Sequence, residues 1–315
     1  MKHGIAFLFS GQGAQAGGMG KSLYDGSPAA RAVFQTADQV LGRGISELCF
    51  SGTQEELNQT RNTQPCMLAA DLAAHAAMLE KGVRPAAVAG FSLGEYAALA
   101  AAEVITLEDA FRIIQLRADA MQKAVPLGEG AMAAVMKIPP CEVAALCDEA
   151  GGYIVPANFN SPEQTVVSGE TAAVDRLLAL ARERKIRAVK LPVSAPFHCD
   201  LMKPARDALA KAFQNVHFSD AILPVYMNID GKVHRKAEDL RCCVLQQTIS
   251  PVRWTETIQG MAEDGIGGFI ELGVGHTLQG FVKKTAPGKG SACVYDMATL
   301  EAAVKQCETF GGADD

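Results

Sequence analysis

The chain contains 315 residues, of which 49% are hydrophobic, 20% charged and 6% aromatic. This length suggests about two domains, because a single hydrophobic core stops growing at roughly 250–300 residues, and the composition excludes a wholly disordered or fibrous chain. The formal net charge of −6 argues against a general nucleic-acid binder.

Two parts of the chain, residues 1–127 and 197–315, alternate short apolar runs with longer segments of helical periodicity. This alternation is typical of an α/β fold with a largely parallel sheet. In chain order, we predict strand 5–10, helix 29–41, helix 65–79, strand 86–90, helix 106–125, strand 223–228 and strand 268–272.

Residues 128–196, between those parts, have a different order of elements. The pattern predicts strand 131–136, helix 141–150, strand 153–158, strand 165–168, helix 172–184 and strand 186–193. A β-α-β-β-α-β order is that of the ferredoxin-like arrangement. We therefore expect a small ferredoxin-like domain, 128–196, inserted into a large α/β catalytic domain made of 1–127 and 197–315.

Cysteine usage and apolar stretches bear on the compartment. The nine cysteines have spacings that match neither a zinc site nor a disulfide framework. The amino terminus lacks a secretory apolar region. Ser92, Glu95 and Glu103 interrupt the apolar stretch 86–105, and a carboxylate is costly in lipid. The sequence therefore predicts a reduced, cytoplasmic protein without a metal site or a membrane span.

The glycine-rich segment after the first strand contains two near matches to phosphate-binding motifs. Residues 11–16 fit a relaxed dinucleotide fingerprint, but predicted helix 29–41 replaces the strand that should carry its acidic residue. Residues 20–22 resemble the end of a P-loop, but Gln15 occupies the position of its opening glycine. Both interpretations are disfavoured. The loop does place backbone amides and the Gln12 side chain at the carboxyl end of a strand, where open α/β sheets bind ligands.

Residues 90–94 form a Gly-x-Ser-x-Gly motif between an apolar run and an alanine-rich segment. This context is that of the nucleophile elbow of α/β-hydrolases, in which small flanking residues permit a strained turn at the serine. Free amides at the start of the following helix favour negative charge developing near the Ser92 hydroxyl. We therefore expect an α/β-hydrolase-like large domain with Ser92 as its nucleophile. The alternative is a glycine-flanked packing turn.

A serine nucleophile needs a base, and the chain has six histidines. His75 lies in a predicted helix of alanines, His276 lies in a glycine turn, and three others fall near the terminus or in polar connecting segments. His198 follows the last strand of the small domain, at the return to the large domain. Because interdomain clefts are favoured ligand sites, His198 is the preferred base on position alone.

Arg117 lies at the border of the apolar face of predicted helix 106–125. One interpretation is a snorkelling arginine, with its stem on the core and its guanidinium in water. The other is a guanidinium directed into the cleft, where its planar fork suits a carboxylate bidentately. The sequence pattern leaves both interpretations open.

Together these segments resemble one family, the malonyl-CoA:acyl carrier protein transacylases and the acyltransferase domains of fatty acid and polyketide synthases. The matching segments occur in order across nearly the whole chain, so the resemblance is more specific than any single motif. They are residues 11–15, 90–96, 117 with 121–122, 158–162, 194–198, 247–254 and 271–275.

The resemblance implies a fold, an activity and partners. The implied reaction transfers the malonyl group of malonyl-CoA to the phosphopantetheine thiol of acyl carrier protein, through a malonyl-serine intermediate and without a cofactor or metal. It implies Ser92 as the nucleophile and His198 as the base. In this family a backbone carbonyl orients the histidine, and that carbonyl falls here on Gln247.

The resemblance also implies roles for residues around the nucleophile. The backbone amides of Gln12 and Leu93 form an oxyanion hole, and Arg117 clamps the malonyl carboxylate. Phe197 resembles the malonyl-type pattern, and its bulk is expected to exclude an α-methyl group. The departures from the family pattern are modest, such as Phe91 where many members have histidine.

Other functions stay open beside fatty acid synthesis. A trans-acting acyltransferase for polyketide synthesis has the same residues. A serine esterase or thioesterase shares the serine elbow and a histidine, but does not account for Arg117 or the Gln12 loop. A non-catalytic scaffold for carrier proteins would tolerate the loss of Ser92.

A cluster of basic residues precedes His198 and is a candidate docking patch for an acidic carrier protein. The alternative is the solvated end of a helix. The cluster consists of Arg182, Arg184, Lys185, Arg187 and Lys190.

Overall fold

The computed structural model describes residues 4–193 and 195–310. Ser194, which belongs to the matching segment 194–198, lies outside the described residues, as do the ends of the predicted large domain. The described strands are β1 Gly4–Phe9, β2 Ala87–Gly90, β3 Gly130–Met136, β4 Ile154–Ser161, β5 Gln164–Glu170, β6 Arg187–Lys190, β7 Val225–Tyr226, β8 Val233–His234, β9 Ile266–Leu272 and β10 Gly290–Val294.

Helices account for most of the remaining described residues. Short 3₁₀ helices also occur at Asp200–Met202, Phe213–Asn215 and Gln247–Ile249. The α-helices are α1 Lys21–Gly26, α2 Pro28–Leu41, α3 Ile45–Ser51, α4 Gln54–Asn58, α5 Thr60–Glu80, α6 Gly94–Ala101, α7 Leu107–Lys123, α8 Pro140–Ala150, α9 Thr171–Glu183, α10 Lys203–Ala212, α11 Ala237–Gln246, α12 Trp254–Glu263, α13 Thr277–Thr285 and α14 Met297–Cys307.

The larger sheet has six strands in the order β10-β9-β1-β2-β7-β8. Its neighbours run parallel except β8, which is antiparallel to β7. The expected α/β fold with a largely parallel sheet is therefore confirmed. Because the strands are parallel, the carboxyl ends of β1, β2 and β9 lie at one edge of the sheet, and the loops that follow them meet there.

Side chains of β1 alternate between two apolar layers, as the period of a strand requires. Phe7 and Phe9 pack among residues of α2, α5, α6 and α7. Ala6 and Leu8 pack on the other face among residues of α12 and α13. Helices thus cover both faces of the sheet, which is the arrangement that a buried parallel sheet needs.

The smaller sheet has four antiparallel strands in the order β4-β5-β3-β6. Its elements follow in the predicted order, with α8 between β3 and β4 and α9 between β5 and β6. Residues of α8 and α9 pack on one face of this sheet. The backbone also joins it to the chain before α12, since Val252 N donates to Ala157 O at 2.9 Å and Phe159 N donates to Val252 O at 2.8 Å.

The start of α5 differs from the prediction, because this helix begins at Thr60 rather than at Pro65. A proline inside a helix leaves one carbonyl without its usual amide donor. Here the carbonyl of Arg61 accepts instead from Arg43 Nη2 at 3.0 Å and from Gln115 Nε2 at 3.3 Å. The helix therefore continues through Pro65, with five residues ahead of the proline.

Two further differences concern strands at the margins of the larger sheet. Predicted strand 223–228 pairs only over Val225–Tyr226, and β8 and β10 were not predicted.

Among the described residues, no helix combines the length and the apolar character needed to cross a membrane.

Candidate active site

Ser92 lies in a sharp turn between β2 and α6. Its φ of 54° is in the left-handed region, which a residue with a side chain adopts at an energetic cost. A Cβ on Gly90 would lie 1.9 Å from the backbone of Gly94, and a Cβ on Gly94 would lie 2.5 Å from Phe9 O. Only glycine fits at either flank, so the motif predicted as a nucleophile elbow has the geometry of one.

The hydroxyl of Ser92 contacts the imidazole of His198, with Oγ 2.6 Å from Nε2. The other ring nitrogen, Nδ1, lies 2.9 Å from the backbone oxygen of Gln247. A carbonyl only accepts, so Nδ1 carries the proton and Nε2 is left to accept the serine proton. The three residues singled out for these contacts are therefore brought together.

The imidazole of His198 is buried and neutral. It is 3% exposed, and its φ is 60°. Burial, with a smaller contribution from the charge of Arg117, lowers its pKa to about 4. At neutral pH the imidazole is therefore unprotonated, which is the form a general base requires.

Arg117 is 1% exposed, so its guanidinium is not in water and the snorkelling interpretation is wrong. Nη1 donates to Gln64 Oε1 at 2.8 Å, and Nη2 donates to Gln247 Oε1 at 3.1 Å and to Ser92 Oγ at 3.3 Å. The guanidinium also lies over the Tyr96 ring, 5.5 Å from its centroid. A cation held by neutral oxygens thus contacts the Ser92 hydroxyl.

The side chain of Gln247 connects these groups to the elbow. Its Nε2 donates to Ser92 O at 2.7 Å and to Glu95 Oε2 at 2.8 Å. Its Oε1 accepts from Arg117, and its backbone oxygen faces His198. Sequence reasoning assigned only the backbone oxygen, so the side-chain contacts are new information.

Asn228 and Glu95 hold the turn around Ser92 through hydrogen bonds. The sequence analysis did not identify either residue. Asn228 Oδ1 accepts from Ser92 N at 2.8 Å, and its Nδ2 donates to Gly90 O at 2.7 Å. The amide of Asn228 donates in turn to the buried carboxyl group of Glu95. Burial raises the pKa of Glu95 to about 8, against the opposing effect of these hydrogen bonds.

Two signals could have pointed to this pair. Asn228 ends a predicted strand, at the sheet edge where sites form. Glu95 is a single carboxylate in an otherwise apolar helical segment, which indicates a buried partner. Gln64 gave no such signal, because the helix was predicted to begin one residue after it.

A cavity of about 490 Å³ opens between the two sheets and contains the Ser92–His198 pair. The amides of Gln12 and Leu93 donate no hydrogen bond within the described part of the chain, and both residues line this cavity. Phe197, 7% exposed, also lines it. The wall from the smaller sheet is formed by Met132, Ala134, Asn158, Asn160, Gln164 and Val166.

The segments set aside as phosphate motifs take other roles. Lys21 pairs with Asp25 on the same short helix and lies 5.7 Å from the Phe50 ring centroid.

Among residues 4–193 and 195–310, no group of three or more histidine, cysteine or acidic side chains is arranged to hold a metal ion.

The predicted basic patch is partly neutralised by the protein's own carboxylates. Arg184 lies 2.5 Å from Glu149, and Lys190 lies 2.5 Å from Asp175. Arg187 is exposed at the start of β6. Of the five predicted cations, two are therefore engaged in surface ion pairs.

Comparison with known proteins gives a consistent result. The acyl transferase domain family matches residues 6–308. The chain is 40% identical over 305 residues to the malonyl CoA-acyl carrier protein transacylase of Bacillus subtilis, covering 96% of each chain.

Solved structures agree with the sequence comparison. The malonyl CoA-acyl carrier protein transacylase of Coxiella burnetii is similar with a TM-score of 0.94 and 38% identity, covering 98% of each chain. A malonyl-transacylase in complex with a type II PKS acyl-carrier protein is similar with a TM-score of 0.93 and 40% identity, covering 96% of this chain and 99% of that one.

Proposed function

The chain belongs to the malonyl CoA-acyl carrier protein transacylase family, and we propose that it transfers malonyl groups from malonyl-CoA to the phosphopantetheine thiol of acyl carrier protein in fatty acid synthesis. The observation that carries this proposal is the contact between a buried guanidinium and the nucleophile, Arg117 Nη2 to Ser92 Oγ at 3.3 Å. A simple hydrolase of uncharged esters has no use for a buried cation at that place.

The first half-reaction acylates Ser92. His198 Nε2 takes the proton of the Ser92 hydroxyl as Oγ attacks the malonyl thioester carbonyl. The tetrahedral oxyanion accepts hydrogen bonds from the amides of Gln12 and Leu93. The carbon–sulfur bond then breaks, and the CoA thiolate leaves with the proton from His198.

The second half-reaction reverses these steps with another thiol. His198 takes the proton of the phosphopantetheine thiol, whose sulfur attacks malonyl-Ser92. The carbon–oxygen bond breaks, and the proton returns to Ser92. Water competes poorly because thiolate sulfur is the better nucleophile and because the ester lies in a mostly apolar cavity.

Arg117 gives the site its preference for a diacid. Its three described acceptors are neutral oxygens of Gln64, Gln247 and Ser92, so a malonyl carboxylate supplies the opposite charge that the buried cation lacks. Phe197 restricts the space beside the acyl group and disfavours a branched acyl chain. The reaction needs no cofactor or metal in this scheme.

The proposal extends to domain organisation and compartment. Residues 128–196 are a ferredoxin-like small domain, and 1–127 with 197–315 are an α/β-hydrolase-like large domain. The strand order β4-β5-β3-β6 and an apolar cluster formed only by residues of the small domain support this division. Nine free cysteines support a reducing, cytoplasmic location.

A second candidate function is supply of malonyl groups to a polyketide line in trans. A relative solved with a type II PKS acyl-carrier protein favours it, at 40% identity. The chemistry at Ser92 is the same, so the two candidates differ only in the carrier protein that is preferred. Transfer rates to carrier proteins of the two pathways distinguish them.

The proposal is tested by intact-protein mass spectrometry after brief exposure to malonyl-CoA. The wild type is expected to gain one malonyl group, Ser92→Ala none, and the control Ser46→Ala one. Addition of holo acyl carrier protein is expected to move the group to the carrier faster than water removes it. Labelled Ser92→Ala, or faster release as malonate, would contradict the proposal.

A further inference from the structure

A buried side-chain pair outside the catalytic groups lies at the start of the glycine-rich loop. Ser10 follows β1 directly, and its hydroxyl donates to Asp71 Oδ1 on α5 at 2.6 Å. Ser10 is 1% exposed and Asp71 is 0% exposed. We propose that the Ser10–Asp71 pair positions the oxyanion hole by fixing the loop that carries the Gln12 amide. This inference rests on the proposed function.

The pair also ties the end of β1 to the segment after β9. Ser10 N donates to Leu272 O at 3.2 Å, and Val274 N donates to Ser10 Oγ at 3.3 Å. Between them Gly273 has a φ of 122°, and a Cβ there would lie 1.8 Å from Asp71 Oδ1. The backbone at the sheet edge is therefore shaped around the Asp71 carboxyl group.

The opposite side of the loop rests on the elbow. A Cβ on Gly11 would lie 2.6 Å from Phe91 Cδ1 and 2.8 Å from Phe91 O, directly before Ser92. Gln12 follows this contact, and Gly13 N donates to Gln15 Oε1 at 2.8 Å. The Gln12 amide thus lies next to a segment held by the Ser10–Asp71 hydrogen bond and by the contact of Gly11 with Phe91. A movement of Ser10 would therefore displace this amide relative to Ser92.

Asp71 acts here as a hydrogen-bond acceptor. Burial raises its pKa well above the usual range, and the nearby carboxyl group of Glu271 raises it further, although the Ser10 hydrogen bond opposes both. A neutral amide at this position retains a carbonyl oxygen for Ser10. Asp71→Asn is therefore the conservative variant, whereas Asp71→Ala and Ser10→Ala remove the bond.

Rapid-quench mass spectrometry of malonyl-enzyme formation tests this role. Ser10→Ala and Asp71→Ala are each expected to lower the maximal acylation rate about tenfold, with KM for malonyl-CoA within about twofold, because a displaced oxyanion donor weakens the transition state alone. The double variant should be no slower than the single ones, since both remove one bond. Asp71→Asn is expected to stay within about threefold of the wild type.

The control is Ser46→Ala, which breaks another serine–aspartate hydrogen bond, to Asp38 between α2 and α3. Its acylation rate should equal that of the wild type. An unchanged rate in Ser10→Ala, additive losses in the double variant, an equal loss in Asp71→Asn or an equal loss in Ser46→Ala overturns the inference. If Asp71→Ala does not fold, Ser10→Ala, which loses only a hydroxyl, decides. A wild type that forms no malonyl-enzyme contradicts the proposed function instead.

Discussion

Arg117 carries its charge in the interior of the protein, where only 1% of the residue is exposed. Burying a cation is costly unless hydrogen bonds and an opposite charge compensate it. Oxygens of Gln64, Gln247 and Ser92 and the ring of Tyr96 supply the hydrogen bonds and a cation–π contact. The described residues give the guanidinium no carboxylate hydrogen-bond partner, and under the proposed function an anionic acyl group supplies the opposite charge.

Arg117→Ala is expected to discriminate between acyl groups. Loss of one partner of a buried charge pair costs roughly 3 kcal/mol, so kcat/KM for malonyl transfer should fall about 150-fold. Transfer of acetyl groups, which have no carboxylate for the guanidinium to bind, should change little. Steady-state rates with both acyl-CoA substrates measure this preference. Arg112→Ala, which breaks a surface pair with Asp109 on the same helix, is the matched control. Equal falls for malonyl and acetyl transfer would assign Arg117 a structural role.

The lowered pKa of His198 predicts the pH dependence of serine reactivity. In the proposed mechanism the neutral imidazole is the base, so reactivity is lost as the pH falls through about 4. The rate of Ser92 modification by phenylmethylsulfonyl fluoride, an uncharged reagent, should be constant from about pH 5 to pH 8 and drop about tenfold per pH unit below 4. In Arg117→Ala the drop should begin at higher pH, since a repelling charge is gone. A wild-type midpoint near an ordinary histidine pKa would contradict this account.

At the scale of elements, the strand–turn–helix unit around Ser92 requires the backbone of Gly94 to lie against the backbone at the end of β1. Gly94 opens α6 directly against the end of β1, with room for no side chain. This contact also brings the start of α6 beside the loop that carries Gln12. The same approach therefore stabilises the fold and fixes the two segments whose amides form the oxyanion hole in the proposed mechanism.

Gly94→Ala is expected to lower the free energy of unfolding by more than about 2 kcal/mol, because its Cβ would lie 2.5 Å from Phe9 O and 2.7 Å from Ser10 O. The control is Gly280→Ala on α13, where a Cβ meets nothing within 4 Å. That change should raise stability by roughly 0.5–1 kcal/mol, since glycine weakens a helix interior. Urea unfolding of both variants measures the difference. Equal stability of the two variants would show that the elbow tolerates a side chain.

The elements that the sequence predicted are those with strong local patterns. Buried strands β1, β2 and β9 and amphipathic helices α2 and α7 were placed within about two residues, because burial on a defined face imposes the period. The start of α5 was not predictable, since the proline rule is overridden by Arg43 and Gln115 from elsewhere in the chain. The short strand β8 pairs over two residues, which leaves too little periodicity to detect.

At the scale of the molecule, the site is assembled from distant parts of the chain. Ser92 and His198 are 106 positions apart, and Gln247 lies a further 49 positions beyond His198. Local patterns identified residues suited to the chemistry, and the family resemblance ordered them. The hydrogen bonds of Asn228, Glu95 and the Gln247 side chain depend on how the sheet edge and the loops meet, which no local pattern encodes.

The exposed basic residue Arg187, near the cavity, is expected to contribute to docking of acyl carrier protein. β6 leads from exposed Arg187 to residues 191–193, which line the cavity. Arg187→Glu is expected to raise KM for acyl carrier protein roughly three- to tenfold through weaker electrostatic attraction, without changing the malonyl-CoA half-reaction. Lys305→Glu is the control, on α14, which packs against edge strand β10 of the larger sheet. Steady-state kinetics with each substrate varied separates the two half-reactions, and an unchanged KM would assign Arg187 to an ordinary solvated surface.

The most direct test of the central claim is a crystal structure of the wild-type enzyme frozen after brief exposure to malonyl-CoA. The account predicts an ester on Ser92 Oγ whose free carboxylate is bound by both terminal nitrogens of Arg117. The ester carbonyl oxygen should face the amides of Gln12 and Leu93. A malonyl group on another residue, or a carboxylate directed into solvent away from Arg117, would contradict the account.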